Sequence, residues 1–554
     1  MKPLAGLKAG RIAALLCLLL VPLALASPDP SQTPEIRVTT HLVQIGIIVR
    51  DKNGPVSNLT KDDFVVLDGG KPQKIDIFSV ESSQSPSPAA PEQPLPPNTF
   101  SDLPQYSAAK PRSVTIVLLD NLNTLSGSTP QLYENTPFWL EDHALANAKQ
   151  HLIEFLQQLD PNDRIAIYGL TDSLHVLCDF TCNRPDLLAV VTKYDPTSKT
   201  QRQLVDPGAI HTPQGTGGDA TFDELTNAAM QRMAAMNNQV RAQSTFAALT
   251  AIADHVADIP GRKNLLWLTA NLPFSGEAIA RILGRANIAA YPVDARGLLP
   301  RMPFTSADDI EPSEAGATAA LGVDSSPANS DQPTGIDAMQ KMAEVTGGRA
   351  FVNTNDLTGA IRSAVEDSAL TYTLGFYVDS NSLDGKFHEL KVRVKDSGLT
   401  LRYPKGYFAF KDSSATKDER HNNFLAALHS PLDSSAIPMQ VKVDRANQPA
   451  PNSLILFGSV NIRGVYLPQS GQSHVGALDI AVIEQDKTGK VLHQSTNRIN
   501  LRFTDEQYAA TLNSGITFRK SVQPATGATI LRVLVQDPVT AAIGSLVIPL
   551  SRVN

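Results

Sequence analysis

Three largely apolar runs organise the sequence: 114–119, 264–269 (NLLWLT) and 288–293. None alternates, and each stops abruptly in polar or small residues: Asp120-Asn121-Leu122-Asn123-Thr124, Ala270-Asn271 and Asp294-Ala295-Arg296-Gly297. Such runs predict strands buried on both faces, as in a sheet covered by helices. Around them the apolar positions shift to helical spacing. The stretch 138–159 carries Leu140, Ala144, Ala148, Leu152, Phe155 and Leu159, and helices are also expected over 222–236, 243–259, 276–286, 336–345 and 357–370. Further strands are expected at 164–170 and 174–177, paired antiparallel, with a short helix at 185–193 opened by Asn183 and Pro185. The expected fold class is therefore α/β, with a mostly parallel sheet covered by helices on both faces. Polar side chains at the carboxyl end of such a strand lie where these sheets place ligand sites, which singles out Asp120, Asn121, Asn123 and Thr124.

The flanks read differently. Residues 35–80 are rich in Val and Ile with a turn at Asp51 to Gly54, a β-rich module. The stretch 81–110 is a linker rich in Pro and Ser. The α/β domain is expected over 111–410, with insertions near 195–221 and 302–333 and its last strands at 373–378 and 388–394. A polar connector, 411–435, leads to 436–554, where short strands with almost no helical period predict a β-sandwich.

Composition changes the picture in three respects. Lys2, Lys8 and Arg11, an apolar run at 12–23 and the Ala24-Leu25-Ala26 site mark 1–26 as a signal peptide, so the chain is expected to be exported: periplasmic, at the cell surface or secreted. No later segment is long and apolar enough to span a bilayer. The formal charge of −7 becomes more acidic by three when that peptide leaves, and no basic stripe favours nucleic acid. Cys178 and Cys182 remain; an even pair in an exported chain suggests a disulfide, with two free thiols as the alternative.

Several segments in order carry a family resemblance: Asp62-Asp63-Phe64, Asp68-Gly69-Gly70-Lys71-Pro72-Gln73, Leu118 to Thr124, Pro260-Gly261-Arg262-Lys263-Asn264-Leu265, Tyr291 to Gly297 and Lys405-Gly406-Tyr407. Together they resemble the von Willebrand factor type A (VWA) domain, and more narrowly the VWA-related proteins exported by acidobacteria. The resemblance covers roughly 35–410 and implies a Rossmann-type sheet with a metal-ion-dependent adhesion site at the end of its first strand. That site uses Asp-x-Ser-x-Ser, a Thr from a later loop and an Asp after the fourth strand. Asp120 and Thr124 match, and Thr245 corresponds to the loop Thr. Leu122 replaces the first Ser, and Ala270-Asn271 stands where the Asp is expected. Losing a hydroxyl and a carboxylate implies a weak Mg²⁺ or Ca²⁺ site or none, with Asp120 and Thr124 alternatively capping the following turn. Asp294 either supplies charge on the same rim or bonds Arg296.

The resemblance thus implies a non-enzymatic binding or scaffolding protein that meets a protein partner through a rim including Asn121, Asn123, Asn271 and Asp294. The alternatives are a structural envelope component with a vestigial site, or a hydrolase with a dispersed site. For the last, no GxSxG, HExxH or phosphate-loop signature is present.

Overall fold

The computed structural model describes residues 40–553 except 83–94, 103–113, 125–138, 160–164, 181, 195–219, 260, 271, 273–275, 298–334, 368, 380–381, 397, 410–414 and 447–452. The expected signal peptide and the insertion at 302–333 lie outside the described residues.

The first strands are β1 (Thr40–Asp51), β2 (Gly54–Pro55), β3 (Phe64–Asp68), β4 (Lys71–Gln73), β5 (Ile77–Ser82) and β6 (Thr99–Ser101). The α/β domain follows as β7 (Val114–Asp120), α1 (Trp139–Gln157), β8 (Ile165–Leu170), β9 (Leu174–Cys178), α2 (Arg184–Lys193), α3 (Ala220–His255), β10 (Lys263–Thr269), α4 (Gly276–Arg285), β11 (Ile288–Asp294), α5 (Gly335–Thr346) and α6 (Leu357–Glu366). Its sheet has the order β11-β10-β7-β8-β9, parallel throughout except for β9. Phe351 adds a parallel bridge to Val293 beyond β11.

Successive residues of a strand point to opposite faces, and here both faces are covered. Ile116, Leu118, Leu265 and Trp267 pack with Leu249 and Ile252 of α3, Leu283 of α4 and Met339 of α5. Val117, Leu119, Leu266 and Leu268 pack with Leu152 of α1, Val191 of α2 and Ile361 of α6. This is why the strand sequences do not alternate. The two helices expected over 222–236 and 243–259 are one, α3. Asn237 and Asn238 lower helix propensity slightly but break no hydrogen bond, so the helix runs through them.

The strands after α6, β12 (Leu370–Asp379), β13 (Phe387–Val394), β14 (Thr400–Arg402) and β15 (Gly406–Phe408), do not join this sheet. β12 lies antiparallel between β1 and β5, with Thr40 opposite Asp379 and Ile47 opposite Tyr372. β13 pairs with β3 and β15. The two layers enclose Ile45, Ile47, Phe64, Val66, Tyr372, Phe376, Leu390 and Val392. The module expected over 35–80 is therefore a β-sandwich completed by 370–409, and the α/β domain is inserted within it.

A buried ionic joint fixes the two together. Asp367, 1% exposed, accepts hydrogen bonds from Arg50 Nη1 at 3.0 Å and Tyr291 Oη at 3.1 Å, and pairs with Arg402. Beside it, Arg262 donates to Gly46 O (3.3 Å), Gly347 O (2.6 Å) and Tyr291 Oη (3.1 Å).

The C-terminal part comprises α7 (Lys417–His429), β16 (Met439–Ala446), β17 (Ser453–Val460), β18 (Gln469–Ser470), β19 (Ser473–Gln485), β20 (Val491–Thr504), α8 (Asp505–Ser514), β21 (Ile516–Val522), β22 (Ile530–Gln536) and β23 (Ile543–Pro549). Two sheets, β21-β17-β16-β6 and β18-β19-β22-β23 with β20 against β19, close on a core including Val441, Leu456, Ile480, Val533 and Leu546. Two expectations are revised. The segment 99–101, assigned to the linker, is an edge strand of this sandwich, with Phe100 opposite Val441. Helix α8 interrupts the strands, opened by a capping box between Thr504 and Gln507.

Carboxyl groups gather where the end of α3 meets the segment before β16. Burial pushes Asp254 and Asp433 up to about 6, with Arg285 and Arg532 respectively opposing the rise. Asp102, after β6, is pushed to about 8 by burial, with repulsion from Asp433 and Asp258 adding to it and the Met439 N–H opposing it. The folded chain therefore holds protons that the unfolded chain releases, and stability falls as pH rises from about 4 to 8. At constant ionic strength the thermal midpoint is expected to drop by roughly 5–10 °C between pH 5 and pH 8. A flat or rising profile contradicts this assignment.

Candidate functional site

The sheet runs outward from β7 to β8 and β9 on one side, then returns to β10 and β11 on the other. The reversal lies between β7 and β10, and a crevice at their carboxyl ends is where such sheets bind ligands. Asp120 is the last residue of β7, opposite Leu170 of β8 and just beyond the Leu119–Leu268 pair with β10. The chain then turns sharply, since the N–H groups of Asn121 and Leu122 both donate to Leu170 O, at 2.9 and 3.1 Å.

Every polar group around Asp120 is drawn inward. Asp120 Oδ1 accepts from the Asn123 backbone N–H, three residues on, at 2.9 Å, as a capping side chain does. Asp120 Oδ2 accepts from Asn123 Nδ2 and from the indole Nε1 of Trp267, each at 2.8 Å. Asn123 Nδ2 also donates to Thr245 Oγ1 at 2.9 Å, and that hydroxyl donates to Arg241 O at 2.8 Å, one turn back along α3. Thr124 Oγ1 donates to the backbone carbonyl of Asp120. Asp120, Asn123, Thr245 and Trp267 are all fully buried. Burial raises the Asp120 carboxyl above its ordinary value, against the pull of the Asn123 and Trp267 hydrogen bonds and the Arg241 charge. The same negative charge, after burial, helps push Tyr194 up to about 12. Tyr194 approaches over Gly169, where a Cβ would stand 2.4 Å from its hydroxyl oxygen.

These groups do not fit a divalent cation. Mg²⁺ and Ca²⁺ need several oxygens with lone pairs turned toward a common point. Here three N–H donors point at the Asp120 carboxylate, the Thr245 hydroxyl oxygen accepts from Asn123 Nδ2, and the Thr124 hydroxyl is turned to the Asp120 main-chain carbonyl. Leu122, in the place of a serine, packs into the core, and Ala270 is buried without a carboxylate. Asn123 Oδ1 is a buried acceptor with no hydrogen-bond partner among the described residues, but one neutral oxygen does not make a site. Among the described residues no group of three or more His, Cys, Asp or Glu side chains is placed to hold a metal.

The other sequence candidates separate. Asp294 ends β11, two strands away from β7, and Arg296 takes up its carboxylate through Nε at 2.9 Å and Nη2 at 2.8 Å. Asn121, Asn123 and Asp294 are at most 3% exposed, so their side chains do not form a contact rim. Asn271 lies outside the described residues. Cys178 and Cys182 are joined in a disulfide. Trp267, Arg241 and Tyr194 escaped the sequence reading. Only Trp267 left a signal, because a tryptophan in a strand buried on both faces needs a partner for its N–H.

No family model and no curated protein matches this chain. Solved structures similar to it include an aerotolerance-related membrane protein from Bacteroides fragilis, at 14% identity over 46% of this chain and 98% of that one, with a TM-score of 0.24. BatB from Bacteroides thetaiotaomicron shows 13% identity over 46% and 98% of the two chains, with a TM-score of 0.25. A von Willebrand factor type A protein from Catenulispora acidiphila is similar at 12% identity over 61% of this chain and 74% of that one, with a TM-score of 0.23.

Proposed function

We propose that this chain is an exported, non-enzymatic protein-binding or scaffolding protein whose VWA-like domain works without a cation, its adhesion site being degenerate. The observation that carries this reading is the occupation of both Asp120 carboxylate oxygens by protein N–H donors. A partner would then meet the exposed polar residues along the carboxyl edge of the sheet, such as Asp172 and Ser173 in the β8–β9 turn, rather than an ion held by Asp120.

Capture from envelope extracts with the immobilised full chain tests this. The same partner is expected in EDTA and in millimolar Mg²⁺, and it is expected to be lost with the double variant Asp172→Lys, Ser173→Arg. Release of the partner by EDTA contradicts the cation-free reading. Recovery of no partner at all favours a structural envelope role, and turnover of an ester, peptide or glycoside substrate favours an enzyme.

A further inference from the structure

The disulfide Cys178–Cys182 closes a loop of sequence separation 4, with Cα atoms 6.1 Å apart. A loop this short removes less freedom from the unfolded chain than a long one, so the bond's contribution to global stability lies at the low end of the usual range. Its local consequence is larger, because the loop holds Asp179 and Phe180 against α3. The Cys182 N–H donates to Asp179 O at 3.0 Å, and the Phe180 N–H donates to Asp179 Oδ1 at 2.9 Å. Tyr168 Oη donates to Asp179 Oδ1 at 3.0 Å, while His255 Nε2 lies 3.2 Å from Asp179 Oδ2. The Phe180 ring stacks on the His255 imidazole, with centroids 6.5 Å apart.

His255 bridges the α/β domain and the segment that leads into the C-terminal sandwich. Its Nδ1 lies 2.7 Å from the backbone carbonyl of Asp433. Both ring nitrogens thus face acceptors, an arrangement that the doubly protonated imidazolium satisfies. The segment beyond continues the chain of contacts into β23: Asp433 Oδ1 accepts from Val547 N at 2.9 Å, and Ser434 N donates to Ser545 Oγ at 2.8 Å. Ser435 ties back to α3 through its N–H to Asp254 O at 2.9 Å.

We propose that the Cys178–Cys182 disulfide is a redox clasp that presents Asp179 and Phe180 to His255, fastening the C-terminal sandwich to the α/β domain when oxidised and loosening that joint when reduced by a dithiol. In reduction, a dithiol's thiolate attacks the sulfur of Cys182, the partly exposed member, and Cys178 leaves as a thiolate that takes up a proton. The reductant's second thiol then displaces Cys182, leaving two protein thiols and an oxidised reductant.

Hydrogen–deuterium exchange on the full chain, with and without dithiothreitol, tests the clasp. Reduction is expected to speed exchange over 250–258 and 430–436 by about tenfold while leaving 40–51 and 370–378 unchanged. The double variant Cys178→Ser, Cys182→Ser should show the same pattern without reductant. Phe180→Ala, with the disulfide intact, should show part of it. Equal exchange at 250–258 and 430–436 in both redox states overturns the proposal. So does acceleration spread equally through 40–51, which makes the bond a general stabiliser.

Discussion

Asp120→Ala is expected to destabilise the α/β domain by about 3–5 kcal/mol, the cost of stripping a buried polar cluster of its central acceptor. Three N–H donors, from the Asn123 backbone, the Asn123 amide and the Trp267 indole, lose their partner in a place that water does not reach. In a domain of this size the thermal midpoint should fall by roughly 10 °C. Trp267→Phe removes one donor and leaves the carboxylate two, so it is expected to cost less, about 1–3 kcal/mol. Urea denaturation measures both. The penalties should be the same in EDTA and in Mg²⁺, because no cation takes part in what is lost. A variant as stable as the wild type would mean that the carboxylate contributes nothing to the fold.

Asp367→Ala is expected to cost a comparable 3–5 kcal/mol for a different reason. Its carboxylate answers two arginines at once, Arg50 from β1 and Arg402 from β14, and accepts from Tyr291 of β11. Without it two guanidinium groups face each other, with the Arg262 charge nearby, and burial already lowers Arg402 below its ordinary value. The N-terminal β-sandwich should then detach before the α/β domain unfolds, adding an early urea transition that the wild type lacks. Absence of that early transition contradicts this account of the joint. Arg262 donates to Tyr291, and Tyr291 donates to Asp367, so both residues take part in this joint.

The elements were more legible than their partners. The runs at 114–119, 264–269 and 288–293 announced strands covered on both faces, and that is how they pack. The pairing of β1 with β12, over three hundred residues away, was not readable. Apolar patterning tells which face of a strand is buried but not which strand lies beside it. The same limit hid β6, whose three residues become a strand only through β16. Helix α8 was readable, since Thr504 and Gln507 stand at capping-box spacing, but the strand-rich surroundings masked it. At the site, the position of Asp120 followed from the abrupt end of an apolar run. Its chemistry did not, because the indole that occupies its Oδ2 comes from a different strand, where it read only as another core residue.

The central claim, that protein donors and not a cation satisfy Asp120, is tested most directly at the Trp267 indole. The chain has two tryptophans, Trp139 and Trp267, so ¹⁵N-indole labelling gives two resonances that Trp139→Phe assigns. With Asp120 bonded to Nε1–H, the Trp267 resonance should be protected from solvent exchange and unmoved by millimolar Mg²⁺, Ca²⁺ or Mn²⁺, with no paramagnetic broadening from Mn²⁺. A Trp267 signal that exchanges freely, shifts on adding Mg²⁺ or broadens with Mn²⁺ would contradict it.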